Sequence, residues 1–191
     1  MASQRRWSRS SPRCTENVAE RNGGGPHPQS DEPVVLHPGE LWFGESPTCV
    51  RTLLGSCVAI TLWHPQRRIG GMCHYLLSGQ MEQARHNGRP GYYATGAIRY
   101  FQKAIRSWQT RPQDYEVKMF GGGNMFPDVE RHGEQFTVAE SNIRHGQHLL
   151  ENAGFSIKAR DLGGVRYRII LLELDSGDVW VRYGHNSRST P

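Results

Sequence analysis

The stretch Thr52-Leu53-Leu54-Gly55-Ser56-Cys57-Val58-Ala59-Ile60-Thr61-Leu62-Trp63-His64-Pro65-Gln66-Arg67-Arg68-Ile69-Gly70-Gly71-Met72-Cys73-His74-Tyr75-Leu76-Leu77-Ser78 reads as a β-hairpin with a cysteine on one arm and a histidine on the other. Val58, Ile60 and Leu62 alternate with Ala59, Thr61 and Trp63, a period of two rich in β-branched and aromatic residues, and Ile69 to Leu77 is a second apolar run. Pro65 marks the turn. Proline does not suit the first position of a type I′ turn, so the loop is longer than two residues. With Trp63 opposite Arg68, Leu62 meets Ile69, Val58 meets Cys73 and Cys57 meets His74, with Cβ atoms ~5 Å apart. A slip of one residue would send the two side chains to opposite faces.

A cysteine facing a histidine is the minimal apparatus for thiolate chemistry, because a thiol is mostly protonated at neutral pH and an imidazole can take its proton. Glycines at Gly70-Gly71 let another backbone or a substrate come close. A turn ending at Gly55-Ser56 can aim backbone N–H groups at a developing oxyanion. The same residues also fit a core in which Cys57 is a small buried hydrophobe and His74 a satisfied polar group. A zinc site from Cys49, Cys57, Cys73 and His74 lacks the usual paired ligand spacing.

The segments Thr52 to Ala59 and Gly70 to Leu77, followed by Val117-Lys118-Met119-Phe120-Gly121-Gly122-Gly123-Asn124-Met125-Phe126, resemble the CheD family of chemoreceptor glutamine deamidases, in order and spacing, from about Val34 to Tyr183. The resemblance implies Cys57 as nucleophile, His74 as base and a threonine a few residues before the cysteine as the orienting third group. Here the candidate is Thr52; in some members the threonine sits one place upstream, where this chain has Arg51. Gly122, Gly123 and Asn124 would on that resemblance border the cleft and leave room for an approaching receptor helix, though a purely structural turn fits the same residues. Gly55 and Ser56 are the candidate oxyanion donors. Asp161-Leu162-Gly163-Gly164 resembles a further family signature, in which Tyr167 replaces the glycine expected before Arg168, and Ser141-Asn142-Ile143 loosely resembles another. The implied substrate is the helical cytoplasmic region of methyl-accepting chemotaxis receptors, with a CheC-type phosphatase as a further partner. The implied chemistry needs no metal or organic cofactor. A receptor-binding scaffold without turnover and a receptor glutamate methylesterase are the rival functions.

Elsewhere the chain divides by composition. Residues 1–32 are rich in Arg, Ser, Gly and Pro with almost no periodic apolar residues, which predicts a disordered tail. Residues 33–184 form a single domain, and 185–191 a polar tail. Short strands are expected at Val34 to Leu36, Leu41 to Phe43, Cys49 to Leu54, Glu116 to Phe120, Ser156 to Arg160, Arg168 to Leu174 and Val179 to Tyr183. Asp175 to Asp178 is a hairpin turn. Apolar spacing of three and four predicts helices over Thr95 to Trp108, with Thr95 as N-cap, and over Thr137 to Asn152, with Val138, Ile143, Leu149 and Leu150 buried. Ser78 to Gly91 reads as a loop. Strands interrupted by two helices suggest an α/β or α+β domain with mixed or antiparallel pairing. The family resemblance implies a layered α-β-β sandwich like that of the cytotoxic necrotising factor deamidase toxins.

The 191 residues carry 23 Lys and Arg against 18 Asp and Glu, a net charge of +5. These charges are interspersed, not gathered into the basic stripe that nucleic acid requires. No run approaches the ~20 apolar residues of a membrane span. Four cysteines with no Cys-x-x-Cys pair leave disulfides possible on the count; with no apolar signal region, a reducing cytoplasm is the expected setting.

Overall fold

The computed structural model describes residues 4–6, 33–46, 48–79, 89–125 and 136–184. Its strands are β1 (Gln4–Arg6), β2 (Val34–Leu36), β3 (Leu41–Glu45), β4 (Cys49–Leu54), β5 (Val58–His64), β6 (Ile69–Tyr75), β7 (Glu116–Gly121), β8 (Ile157–Leu162), β9 (Arg168–Glu173) and β10 (Val179–Tyr183). The helices are α1 (Ala94–Ser107) and α2 (Val138–Asn152), with a 3₁₀ turn at Pro112–Asp114. The strands form two mixed five-stranded sheets, in the orders β1-β10-β9-β4-β2 and β3-β6-β5-β7-β8. Three residues of the segment read as a tail thus run parallel to β10 at a sheet edge. The rest of residues 1–32, the loop at 80–88, Phe126 and Pro127, and the polar tail 185–191 lie outside the described residues.

Alternation along each strand builds two cores. Val58, Ile60, Leu62, Cys73, Tyr75, Val117 and Met119 face the helices, where they meet Ala97, Ile98, Phe101 and Ile105 of α1 and Leu150 of α2. Ala59, Met72 and Phe120 face the other way, onto Leu36, Val50, Leu54, Ile170, Leu172, Val179 and Val181 of the first sheet. The expected α-β-β layering is therefore present: helices, the β5-centred sheet, then the β9-centred sheet. β2 and β3 belong to different sheets, so residues 37–40 carry the chain from one layer to the other.

The hairpin register differs from expectation. Ala59 pairs with His74, Val58 with Tyr75, Leu62 with Gly71 and His64 with Ile69, a shift of two residues. The loop closes around Pro65 to Arg68, where Arg68 N donates to His64 O at 2.9 Å and Arg68 takes a left-handed φ of 51°. Because the shift is even, every side chain keeps its face. Cys57 lies one position beyond the last rung, diagonal to His74 and on the same inter-sheet side.

The helices also depart in detail. Helix α1 begins at Ala94 with Tyr93 in the cap position and no side-chain cap, so Thr95 is not the N-cap. A bridge between Leu77 and Tyr93, with Ala94 N donating to Leu77 O at 3.1 Å, pins the backbone there instead. Helix α2 opens on a capping box in which Thr137 Oγ1 accepts from Glu140 N and the Glu140 carboxylate accepts from Thr137 N. Its buried row is Ala139, Asn142, Gly146 and Leu150; Ile143 and Leu149 are only partly covered, and Val138 is 49 % exposed. Small residues occupy that row because the helix lies hard against the sheet. Tyr75 Oη donates to Asn142 O at 2.7 Å, and a Cβ on Gly146 would stand 2.1 Å from that same phenolic oxygen.

Candidate active site

The candidate residues converge at one end of the sandwich, where β4 turns into β5, β6 ends and β7 runs into its glycines. Along β4, Val50, Thr52 and Leu54 point between the sheets, while Cys49 turns outward to Leu171 and Trp180. The pattern puts Arg51 on that outer side and Thr52 on the inner one.

Thr52 Oγ1 lies 2.8 Å from His74 Nδ1, and its hydroxyl donates to the Leu36 carbonyl at 2.8 Å. A hydroxyl has one proton, and a carbonyl can only accept. Oγ1 is therefore the acceptor of an Nδ1–H bond, which fixes the tautomer with Nε2 unprotonated. His74 Nε2 is buried without a hydrogen-bond partner among the described residues. Burial lowers the His74 pKa to about 4, against smaller opposing effects of the Leu36 carbonyl and Glu40. The imidazole is thus neutral at physiological pH and its free lone pair is a base.

Cys57 is a free thiol, partly exposed, at the margin of the inter-sheet core. Desolvation pushes its pKa up, partly offset by its own backbone N–H. Both shifts favour the uncharged forms, a thiol at Cys57 and a neutral imidazole at His74. Cys73 faces the helix core and Cys49 the outer face of the other sheet, so the cysteines of the conceivable zinc set lie in different layers. Among the described residues no group of three or more His, Cys, Asp or Glu is placed to hold a metal.

The Cys57 turn is bound from two sides. Gly122 N donates to Cys57 O at 2.7 Å and Gly123 N to Gly55 O at 2.8 Å. Asn142 Nδ2 donates to Ser56 O at 3.3 Å. Gly122 has a φ of +63°, the left-handed region that favours glycine, and a Cβ there would crowd the Ile143 side chain at 2.6 Å. The Gly55, Ser56, Gly122, Gly123 and Asn124 set is accordingly one unit with Cys57. A third loop closes it: Gly163 N donates to Gly121 O at 2.9 Å and Asn124 N to Gly164 O at 2.7 Å. Buried Arg168 holds that loop, donating to Asp161 Oδ1 at 3.0 Å and to Gly163 O at 2.6 Å, while Tyr183 Oη donates to Asp161 Oδ2. Tyr167 is accommodated by Gly184, where a Cβ would fall 1.8 Å from its ring.

The residues missed in sequence are Asn142, as a contact of the turn, and the Leu36 carbonyl. A backbone oxygen leaves no trace in residue type, and Asn142 had only the loose resemblance of Ser141-Asn142-Ile143 to point to it. A groove of about 390 Å³ lies at the β2–β3 edge, lined by residues including Val35, Leu36, Glu40, Trp42 and Arg89, but not by Cys57 or His74. No helix among the described residues is long and apolar enough to cross a membrane.

Residues 76–183 match the family model described as CheD chemotactic sensory transduction. Cys57 and His74 precede that span. A protein of Pseudomonas fluorescens named probable chemoreceptor glutamine deamidase CheD is 46 % identical over 150 residues, 78 % of this chain and 84 % of that one. A Pseudomonas savastanoi protein of the same name is 45 % identical over the same shares, and one from Dechloromonas aromatica, named as probable chemoreceptor glutamine deamidase CheD 3, is 39 % identical over 78 % of this chain and 86 % of its own. The likeness to the solved Bacillus licheniformis hypothetical protein YfiH, at TM-score 0.40 and 15 % identity over 63 % of this chain and 49 % of that one, carries no argument.

Proposed function

The chain belongs to the CheD family, and on that premise we propose that it is a protein-glutamine deamidase that converts glutamine side chains of methyl-accepting chemotaxis receptors to glutamate. The observation that carries the proposal is the Leu36–Thr52–His74 chain of hydrogen bonds, which leaves a neutral Nε2, without a partner among the described residues, on the face it shares with a free, partly exposed thiol.

In this reading the substrate carboxamide carbon is attacked by Cys57 Sγ, and the thiol proton passes to His74 Nε2. Thr52 stabilises the imidazolium through the Nδ1–H bond and prevents the ring from turning. His74 then delivers the proton to the leaving nitrogen, ammonia departs and a thioester remains. Water, losing a proton to His74 Nε2, attacks the thioester carbonyl, and the imidazolium returns that proton to the departing sulfur, leaving glutamate and the free thiol. The amides of Gly55 to Cys57 are the candidates for holding the oxyanion. Proton transfer accompanies attack because neither partner is charged at rest. The receptor's cytoplasmic region sets the compartment, and a CheC-type phosphatase is a further partner on the same reading.

Purified receptor cytoplasmic fragment is incubated with wild type and with Cys57→Ala, and receptor peptides are weighed. The expected result is a gain of ~1 Da per modified glutamine with wild type only, as thioester hydrolysis demands. Binding without any mass change would replace the reading by a scaffold. Methanol release from methylated receptor without glutamine conversion would replace it by an esterase.

A further inference from the structure

The β5–β6 ladder stops at the Val58–Tyr75 pair. A further rung would join Cys57 and Leu76, but the strands part here. Leu76 N donates instead to Tyr92 O at 3.0 Å. Into the gap comes Asn142 from α2, fully buried, with Nδ2 donating to Leu76 O at 2.7 Å and to Ser56 O at 3.3 Å. Its amide thus spans the two arms of the hairpin where the ladder gives out. Both partners are carbonyls, so the orientation is fixed: only the nitrogen can face them. The other end of the amide, Oδ1, is buried with no partner among the described residues. For a helix residue packed against an apolar sheet, an amide with an orphaned acceptor is a poor choice for stability alone. The two donated bonds are what an apolar residue of similar size would not provide.

We propose that Asn142 is a positioning residue for the reaction, setting the distance between the Cys57 turn and the His74 strand by binding one carbonyl on each. It rests on the deamidase reading for its consequence in turnover, but not for its consequence at the thiol. The splayed rung is what leaves Cys57 partly exposed instead of enclosed between strands. Helix α2 is held at the depth this requires by Tyr75 Oη on the Asn142 carbonyl and by the missing side chain at Gly146.

Asn142→Leu keeps the volume and donates nothing; Asn142→Asp places a carboxylate against two carbonyl oxygens until it is protonated. For Asn142→Leu, kcat for receptor deamidation should fall by about 100-fold with KM nearly unchanged, the scale on which a misplacement of ~1 Å acts. The second readout is iodoacetamide alkylation of Cys57, which needs no receptor. His74→Gln should slow alkylation in the wild-type background and have no effect in the Asn142→Leu background. If Asn142→Leu does not fold cooperatively, Asn142→Asp decides: its activity relative to wild type should rise as pH falls from neutral to about 5, where the acid regains a donor and His74 is still neutral. Wild-type kcat in the Leu variant, an unchanged His74 effect on alkylation, or an Asp variant indifferent to pH would each overturn the proposal. Absence of deamidation by wild type would sink the deamidase reading, while the alkylation comparison would still decide the role of Asn142.

Discussion

At the scale of single residues, the site depends on where one hydroxyl proton goes. Thr52→Val preserves shape but removes the acceptor for His74 Nδ1–H and the donor to Leu36 O, both buried. Deamidation should drop by about 100-fold, and stability by ~1–3 kcal/mol, as two buried groups lose their partner. Thr52→Ser should keep most of the rate. The His74 imidazole should also leave a signature in stability. The folded His74 pKa is about 4, below the ordinary 6.5, so between those values the unfolded chain binds a proton that the folded one refuses. Its contribution is intact above pH ~6.5 and is lost as pH falls towards 4, a swing of about 3 kcal/mol. Denaturant titrations at neutral pH and near pH 4 should show wild type losing that much more than His74→Gln. Cys57, Thr52 and His74 stood out as candidates because type, spacing and family resemblance coincided, and of these the structure joins Thr52 to His74. Asn142 carried only a loose resemblance, and the Leu36 oxygen none, because any residue type brings a backbone carbonyl.

At the scale of elements, local patterning gave the faces but not the pairings. The period of two in β5 correctly sorted Val58, Ile60 and Leu62 from Ala59, Thr61 and Trp63. It could not say which residue of β6 stands opposite, since an even slip leaves the pattern unchanged. The loop decided the matter, closing on His64 and Ile69 through the left-handed turn at Arg68. Helix α2 was read by its large apolar residues, whereas it is seated by small ones. Gly146→Ala tests this. Alanine in a helix interior is normally favoured over glycine by about 1 kcal/mol. Here the new Cβ would meet Tyr75 Oη, so the variant should instead lose ~1–3 kcal/mol in denaturant titration. Combining it with Tyr75→Phe should cost less than the sum of the two single changes.

For the whole molecule, the two ends of the sandwich do different work. At the far end Lys118, buried between the sheets, donates to Gly177 O at 2.7 Å, and Trp63 Nε1 donates to Leu174 O at 2.8 Å, tying one sheet to the other. Burial lowers the Lys118 pKa, so wild type should gain stability as pH rises through the interval between that depressed value and the ordinary one; Lys118→Met should lack that gain in the same titrations. Cys57 alkylation should be unaffected by that substitution, since the staple is at the opposite end. The layer order followed from the family resemblance; alternation alone could not show that β2 and β3 part company into separate sheets. That parting matters most at residues 36–40. Leu36 O anchors Thr52, while Gly39 N donates to His74 O and His74 N to Glu40 O at 2.8 and 2.9 Å. One short crossing therefore grips the histidine's main chain from one layer and steers its ring from the other. A looser interior, for instance from Met72→Ala, would turn the imidazole before it melted the domain, so loss of turnover should precede loss of structure on warming.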